Sequence, residues 1–440
     1  MRLRTLGAGL AVAIGALLVT LHGSAQQTPA YRDMAVDAAK WIRTTRVQTT
    51  FGIAWPSNPD NPRSVGTALY SGSPGVVLFL IELHRATGDQ AYLDDARHGA
   101  DDLMTKVGSQ ADAGLYEGVA GLGFTLGEVW RATNDEKYRR AAIAAVNEIE
   151  KRAGTVGKGV QWSNTTDVIS GTAGIGLFLL YADETLHAPN ARGLAIRAGD
   201  RLIDLGEPAR GGARWPADPS TRELMPNFSH GTAGVAYFLA TLYKVTKEHR
   251  FLDAAIAGAR HLTTIAKTEG DICLVQHDQD NLDLYYLGWC HGPAGTARLF
   301  YQLAVTTGDK GWMAWVEKSA NGVLKSGIPE QRTPGFWNNV SQCCGNAGVA
   351  QFFLDLYGVS KDKKYLDFST RVTADLVARA TRDGRGTRWV QAEFRARPQA
   401  VVAQTGYMQG AAGIGMWFLR LDGVQRQRAP FVRFPDSPWP

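Results

Sequence analysis

The spacing of glycines constrains the fold of this chain more than any other feature. Among 49 glycines in 440 residues, fourteen form seven Gly-x-x-Gly pairs whose first members are 46 to 65 residues apart. The pairs are Gly72/Gly75, Gly118/Gly121, Gly171/Gly174, Gly231/Gly234, Gly292/Gly295, Gly345/Gly348 and Gly410/Gly413. Each pair opens an apolar run, such as Ile-Gly-Leu-Phe-Leu-Leu-Tyr at 175–181. Because a recurring interval is typical of repeat architectures, the pairs predict seven copies of one structural unit.

Two kinds of helix alternate in this unit. The runs after the glycine pairs are apolar on nearly every face, which predicts helices that are buried all round. The segments between them are amphipathic and begin with an Asp before an aromatic residue, as at 134–138. Such an Asp is a typical N-cap, and Ala142, Ala145 and Ile149 follow at helical spacing. The sequence therefore predicts seven inner and seven outer helices.

A closed ring is the arrangement that buries the inner helices completely. In a linear solenoid each helix pair contacts only its neighbours and keeps one face in water. We therefore expect an all-α fold, a seven-fold α/α toroid formed by a single domain at 26–440, with short β-hairpins allowed in the connecting loops. The glycine pairs then lie at the N-termini of the inner helices, where they remove side chains at points where the helices crowd one another. The helix dipoles at this rim favour an anionic ligand or a thiolate.

Residues 1–25 have the pattern of a secretory signal peptide. A basic start with two arginines precedes an apolar stretch at 6–21, and Gly-Ser-Ala at 23–25 is typical of a cleavage site. A membrane anchor is the alternative, but this stretch of 16 residues is shorter than the roughly 20 that span a bilayer. We therefore expect cleavage, a secreted or periplasmic protein, and no stable membrane insertion afterwards.

The charge of the chain argues against a nucleic-acid partner. The formal net charge is +5, and removal of two arginines with the signal peptide leaves +3. The remaining chain has no dense run of Lys and Arg interleaved with aromatic residues, which a nucleic-acid surface would need. We expect a monomer that does not bind nucleic acid.

Three of the four cysteines lie at equivalent positions directly before two adjacent glycine pairs. Residues 288–292 read Gly-Trp-Cys-His-Gly, and residues 342–345 read Gln-Cys-Cys-Gly. Thiolates that converge on one point are typical zinc ligands, and three protein ligands with an open fourth position are typical of a catalytic zinc site. Cys290, Cys343 and Cys344 are therefore predicted to bind Zn²⁺. The alternative is that Cys343 and Cys344 are buried apolar side chains or form a vicinal disulfide.

Further candidates precede other glycine pairs. His230 stands directly before Gly231, where an acid/base role and a structural role are both open. Asp167, four residues before Gly171, is placed to orient His230 or to cap a loop. Glu117 is a rim carboxylate that we interpret as structural. Cys273 lies outside every repeat motif, which favours a buried residue.

At these residues the sequence resembles the lanthionine synthetase C-like cyclase family. The string at 288–290, followed by Gly292, is close to the most specific motif of that family. The resemblance implies a seven-fold α/α toroid with one zinc ion, in which a cysteine thiol adds across a dehydroalanine or dehydrobutyrine to form a thioether. By this resemblance Cys290 and Cys343 match the two cysteine ligands of the family.

The resemblance extends to the acid/base residues, with two departures. His230 and Asp167 match a rim histidine and an acidic residue of the family, whereas Cys344 stands where the family has a histidine ligand. His291 stands where bacterial cyclases commonly have an aromatic residue, and it is a further catalytic candidate or an alternative third ligand. The predicted export is the second departure, since the cyclases act in the cytosol.

The sequence supports one leading hypothesis for the function and leaves two alternatives open. The leading hypothesis is a zinc enzyme that activates a thiol of a peptide or small molecule for conjugate addition, with His230 as the proton donor or acceptor. A carbohydrate-active toroid would need two carboxylates, for which Glu117 and Asp167 are the candidate pair. A non-catalytic protein with structural zinc is the third alternative. Tryptophans that recur before glycine pairs support the carbohydrate alternative, at Trp55, Trp162, Trp215, Trp337 and Trp389.

Overall fold

The computed structural model describes residues 30–221 and 224–440, so the predicted signal peptide at 1–25 lies outside the described residues. Within these ranges fourteen α-helices alternate between an outer and an inner layer. The outer helices are α1 (Tyr31–Thr45), α3 (Gln90–Met104), α5 (Glu136–Arg152), α7 (Ala191–Leu205), α9 (His249–Ile265), α11 (Lys310–Leu324) and α13 (Lys363–Ala378). The inner helices are α2 (Ser73–Thr87), α4 (Val119–Thr133), α6 (Thr172–Tyr181), α8 (Thr232–Thr246), α10 (Pro293–Thr307), α12 (Asn346–Ser360) and α14 (Ala411–Gln425).

Short antiparallel hairpins fill several of the connections. They are β1 (Val47–Gln48) with β2 (Ile53–Ala54), β3 (Gly154–Val156) with β4 (Gly159–Gln161), β5 (Glu207–Ala209) with β6 (Gly212–Arg214), β7 (Thr381–Asp383) with β8 (Gly386–Arg388), and β9 (Val390–Ala392) with β10 (Val401–Ala403). A 3₁₀ turn spans Pro62–Ser64, and a π-helical turn at Ala182–Leu186 extends α6. The hairpins therefore occupy loops, as the sequence allowed.

The helices close into a ring. Each inner helix packs against the outer helix that follows it, and α14 packs against α1 from the start of the chain. The inner helices also contact one another in the order α2, α4, α6, α8, α10, α12, α14 and back to α2. Because the last inner helix contacts the first, the predicted seven-fold α/α toroid is confirmed.

Burial separates the two layers as predicted. Helix α4 buries every residue from 119 to 129, whereas α5 buries a stripe that includes Tyr138, Ala142, Ala145 and Ile149. Despite the apolar character of the inner layer, no helix in the described ranges has the length and hydropathy to cross a bilayer. The expected aspartate N-caps are also present, because each of four carboxylates accepts the backbone N–H two residues later: Asp89, Asp135, Asp309 and Asp362.

A ring of backbone hydrogen bonds joins the loops that precede the inner helices. Its donors and acceptors lie two or three residues before the first glycine of each pair. The bonds run from Tyr70 N to Tyr116 O, Tyr116 N to Ile169 O, Val168 N to Ser229 O, Ser229 N to Cys290 O, Cys290 N to Cys343 O, Cys343 N to Met408 O, and Met408 N to Tyr70 O, at 2.8 to 3.2 Å. The cycle returns to its first residue, so all seven helix N-termini meet at one rim.

The glycine pairs are required for space around this ring. The first glycine is the N-cap of each inner helix and has ordinary extended backbone, for example φ −131° at Gly292. A Cβ on the second glycine would strike the preceding loop: at Gly295 it would lie 1.9 Å from the Trp289 carbonyl oxygen, and at Gly348 2.0 Å from that of Gln342. The crowding is thus mainly against loop backbone, whereas the sequence had predicted crowding between helices.

We predict that Gly295→Ala destabilises the protein by about 3 kcal/mol, because the added methyl group must displace the loop backbone before Cys290. Gly358→Ala is the matched control: it also lies in an inner helix, but its Cβ would meet no atom within 4 Å. The control should be neutral or stabilising by up to about 1 kcal/mol. Chemical denaturation of the full chain measures both, and equal effects would contradict the role given to the glycine pairs.

Candidate metal and thiol site

The ring of loops places cysteines from adjacent repeats side by side. Cys290 precedes α10 and Cys343 precedes α12 at the same position relative to the glycine pair. The Cys290 N–H donates to the Cys343 carbonyl at 3.2 Å, and the Cys343 N–H donates to Met408 at 3.0 Å. Neighbouring loop segments that are hydrogen-bonded in this way place equivalent side chains on the same side. The Cys290 and Cys343 thiols therefore lie close together.

Three buried thiols form a compact cluster at this point. The Cys290 and Cys344 Sγ atoms are 3.1 Å apart, and the Cys344 and Cys343 Sγ atoms are 3.3 Å apart. All three lie within 4.8 Å of one another. Sulfur ligands at about 2.3 Å from a tetrahedral zinc are about 3.8 Å apart, so a small outward movement would suit the metal. The donors are soft and converge, and this fits a three-thiolate zinc site.

Hydrogen bonds single out Cys343 within the cluster. Bonds from the Cys290 and Cys344 thiols, with a further bond from the Tyr70 hydroxyl at 3.2 Å, hold the pKa of Cys343 well below its usual value. Burial raises the pKa of Cys290. Gln409 donates to the Tyr70 oxygen at 2.8 Å and so orients the hydroxyl. Within the metal-free cluster, Cys343 is therefore the thiol whose proton is held least tightly.

The cysteines are free thiols in this structure. The Cys343 and Cys344 sulfur atoms are 3.3 Å apart, well beyond the about 2.05 Å of a disulfide bond. Cys273 lies outside the cluster, and burial raises its pKa to about 11. It is a buried residue outside the three-cysteine cluster, as the repeat pattern indicated.

His230 and Asp167 form a hydrogen-bonded pair at the rim. The distance from His230 Nδ1 to Asp167 Oδ2 is 2.6 Å. The other oxygen of Asp167 accepts the backbone N–H groups of Ser170 and Gly171, both at 2.8 Å, and its side chain is 3% exposed. Because the carboxylate accepts the Nδ1 proton, Nε2 is the proton-accepting nitrogen of the neutral ring. The structure thus brings together the two residues that the sequence proposed as a pair.

His291 lies between two other histidines. Its ring centroid is 5.6 Å from that of His230 and 4.4 Å from that of His277. Nε2 is 3.4 Å from the Ser229 hydroxyl, and buried Nδ1 has no hydrogen-bond partner in the described chain. Burial, with the two neighbouring histidines, lowers the pKa of His291 well below its usual value. This imidazole is therefore neutral and oriented only weakly.

A cavity of about 180 Å³ opens above the thiols. The three cysteines and three histidines contribute to its walls. Tyr286 and Trp337 add an aromatic wall, with ring centroids 5.0 Å apart. The loop of the β9–β10 hairpin adds Glu393 and Arg395, and Arg395 Nε donates to the Tyr286 hydroxyl at 3.3 Å. The cavity is large enough for a small molecule or for one side chain of a peptide.

Comparison with known proteins identifies the family. Residues 63–434 match the family described as lanthionine synthetase C-like protein. The chain belongs to this family. No match was found among curated protein sequences.

Solved structures share the toroid of this family member. Nisin cyclase has a TM-score of 0.64 at 17% identity, with 92% of this chain and 96% of that chain covered. The Lin0763 protein from Listeria innocua has a TM-score of 0.52 at 14% identity, with coverage of 91% and 98%. An inactive variant of the alpha-1,6-mannanase GH76A from Salegentibacter sp. HEL1_6 has a TM-score of 0.50 at 13% identity, with coverage of 90% and 99%. At these identities the likeness establishes the fold alone.

Several site residues of this LanC-like chain were missed by sequence reasoning. His277 lines the cavity and is paired with Asp278, at 2.6 Å from Nδ1 to Oδ2. Tyr286, Glu393 and Arg395 were missed as well. None of them stands directly before a glycine pair, so the pattern that located the cysteines carries no signal for these positions.

Glu117 does not form a free carboxylate pair with Asp167. Both oxygens of Asp167 accept hydrogen bonds, and its side chain is 3% exposed and does not line the cavity, so it is not accessible to a sugar there. Burial, together with Asp112 and Glu393, raises the pKa of Glu117 to about 7, although His230 opposes the shift. The geometry therefore does not favour the carboxylate pair that a glycosidase requires.

The recurring tryptophans are mainly structural. Three of them donate from Nε1 to the carbonyl of a residue thirteen positions earlier, near the end of the preceding outer helix: Trp162 to Ile149, Trp215 to Leu202, and Trp389 to Leu376. Trp55 is fully buried, and Trp337 lines the cavity. The recurring tryptophans thus attach loops to outer helices by hydrogen bonds. They therefore no longer support the carbohydrate alternative.

We predict that Glu117→Gln reduces the loss of stability between pH 5 and pH 8. The folded-state pKa of about 7 exceeds the ordinary 4.5, so the folded state binds the proton more tightly and stability falls as the pH rises through 7. Solvent screening at this half-buried site reduces the effect to about 1 kcal/mol. Denaturant midpoints across this range measure it, and parallel curves for variant and wild type would contradict it.

Proposed function

We propose that this protein is an exported zinc enzyme that activates a thiol for conjugate addition to an unsaturated acceptor, forming a thioether on a peptide or small molecule. The observation that carries the proposal is the cluster of three buried thiols beside the His230–Asp167 pair, in a chain of the lanthionine synthetase C-like family. The structural similarity to nisin cyclase, by its name a cyclase, supports the same class of activity. Export rests on the predicted signal peptide.

Cys290, Cys343 and Cys344 would hold the zinc. A thiolate-bound zinc ion supplies a lowered thiol pKa and a fixed position for the sulfur nucleophile. Their burial under the cavity leaves access from one side, so a substrate thiol and its acceptor meet in the same small space. The aromatic wall of Tyr286 and Trp337 excludes water and fits the flat face of an unsaturated acceptor.

His230 carries the proton in the proposed addition reaction. In the addition the thiol loses its proton, a sulfur–carbon bond forms at the β-carbon, and the α-carbon gains a proton. His230 Nε2 accepts the thiol proton and, as the imidazolium, returns it to the α-carbon. Asp167 keeps the ring in the required tautomer and stabilises the imidazolium.

We predict that the reduced, mature protein holds about one zinc per chain and that Cys290→Ser removes it, because two remaining thiols do not complete the site. Cys273→Ser is the matched control, since it removes a buried thiol outside the cluster and should retain the metal. Metal analysis combined with thiol counting measures both. A wild-type chain without zinc, or with a Cys343–Cys344 disulfide, would refute the proposal.

We further predict that His230→Asn lowers the rate of thiol addition to a dehydroalanine ester by about 10²- to 10⁴-fold while zinc content is unchanged, because the variant lacks the proton carrier. His261→Gln is the control, since this histidine bonds the Arg210 carbonyl and does not line the cavity. Fixed-time assays of thioether formation from a small thiol and the dehydroalanine ester measure the rates. Full activity in the His230 variant would exclude the proton role, and a zinc-loaded wild type without any activity would favour structural zinc.

A further inference from the structure

The C-terminal segment enters the ring from the end opposite the cysteines. After α14 the chain passes the C-terminal ends of α2 and α4, where Glu82 accepts the backbone N–H groups of Phe431 and Val432 at 2.6 and 2.7 Å. The Phe431 ring lies 4.6 Å from the guanidinium groups of both Arg85 and Arg131. These contacts hold the segment at the opening of the toroid that lies opposite the rim with the cysteines.

The segment then fills the interior between the inner helices. Phe434 stacks on Tyr407 with ring centroids 4.4 Å apart, and Trp439 stacks on Tyr301 at 4.2 Å. Only about 30 Å³ of open space remains beside it. In the part of the chain that the structure describes, this segment thus occupies the end of the ring opposite the rim, whereas the cysteines line the cavity at the rim.

Asp436 stands at the innermost point of this segment and is 1% exposed. Its Oδ2 accepts hydrogen bonds from Trp289 Nε1 at 3.1 Å and Arg298 Nη1 at 2.9 Å, and its Oδ1 accepts the Tyr116 hydroxyl at 3.1 Å. Arg298 also donates to the Asp436 carbonyl at 2.8 Å. Buried charges persist when they are paired and hydrogen-bonded, and both conditions hold here.

Trp289 links this carboxylate to the metal site. It directly precedes Cys290, and it lines both the thiol cavity and the interior of the ring that the C-terminal segment fills. Phe228 and Tyr116 pack against the indole with centroids at 5.6 and 5.3 Å. These rings limit lateral movement, while the bond to Asp436 fixes the direction of the Nε1 edge.

We propose that Asp436 is a positioning residue, which holds Trp289 and through it sets the Cys290 sulfur for metal binding. The proposal rests on the proposed zinc site. Hydrogen bonds outside the ligand shell typically change metal affinity 10- to 100-fold, and here the bond acts through the residue next to the ligand. The C-terminal segment is in this view a part of the metal centre.

The test compares Trp289→Phe and Asp436→Ala in the full-length chain. Each should weaken zinc binding about tenfold in competition with a chelator, and shift the sulfur-to-metal absorption band of the cobalt-substituted protein. The double variant should lose no more than the larger single loss, because both substitutions break one link. Trp289→Phe keeps the Asp436–Arg298 ion pair and an aromatic ring, so it remains informative if Asp436→Ala folds poorly.

Asp355→Ala is the matched control, because it removes another interior carboxylate whose ion pair, with Arg420 at 2.8 Å, does not involve Trp289. It should leave metal affinity and the cobalt spectrum unchanged. Unchanged affinity in Trp289→Phe, or an equal loss in Asp355→Ala, would overturn the proposal. If the wild type binds no zinc, the proposed function fails, and arsenite, which binds three converging thiols, supplies the affinity measurement for the same variants.

Discussion

The cyclic set of backbone hydrogen bonds at the rim is the constraint on which the rest of the structure depends. It joins seven loops that are far apart in sequence and requires each loop to lie close against the helix that follows it. That approach is possible only where the third residue of the helix has no side chain, as at Gly295. Ring closure, the common direction of the inner helices and the meeting of Cys290 with Cys343 all follow from this one arrangement.

The sequence predicts the fold well because its periodic signals are physical requirements. Glycine pairs and apolar runs each report a local demand that recurs seven times, and aspartate caps recur on four outer helices, so chance matches at single positions do not matter. The three-cysteine cluster was predictable for the same reason, since Cys290 and Cys343 occupy one repeat position. His277 and Arg395 were not, because they reach the cavity from irregular loops whose paths depend on tertiary contacts.

The interior of the ring shows a further limit of sequence reasoning. Seven inner helices cannot all meet on one axis, so a space remains in the centre that must be filled. Here the segment after α14 fills it, and Phe434 and Trp439 supply much of the apolar surface. No periodic pattern marks this segment, and the paired charge of Asp436 and Arg298 becomes visible only when the segment is in place.

If the cluster holds zinc as proposed, its three-thiolate donor set determines which groups must do the proton chemistry. Two thiolates and an imidazole balance the charge of a zinc ion, whereas three thiolates leave a net charge of −1. Electron-rich surroundings make a bound sulfur more nucleophilic and make the metal a poorer Lewis acid for the acceptor. The N-termini of α10 and α12, which begin three residues after Cys290 and Cys343, would offset part of the negative charge. In the proposed reaction, stabilisation of the developing enolate and delivery of its proton would therefore fall to the imidazoles above the thiols. His230 and His277 are each paired with a carboxylate, and His230 is the more open to solvent, with 36% of its side chain exposed against 16%, whereas neighbouring His291 is buried and neutral.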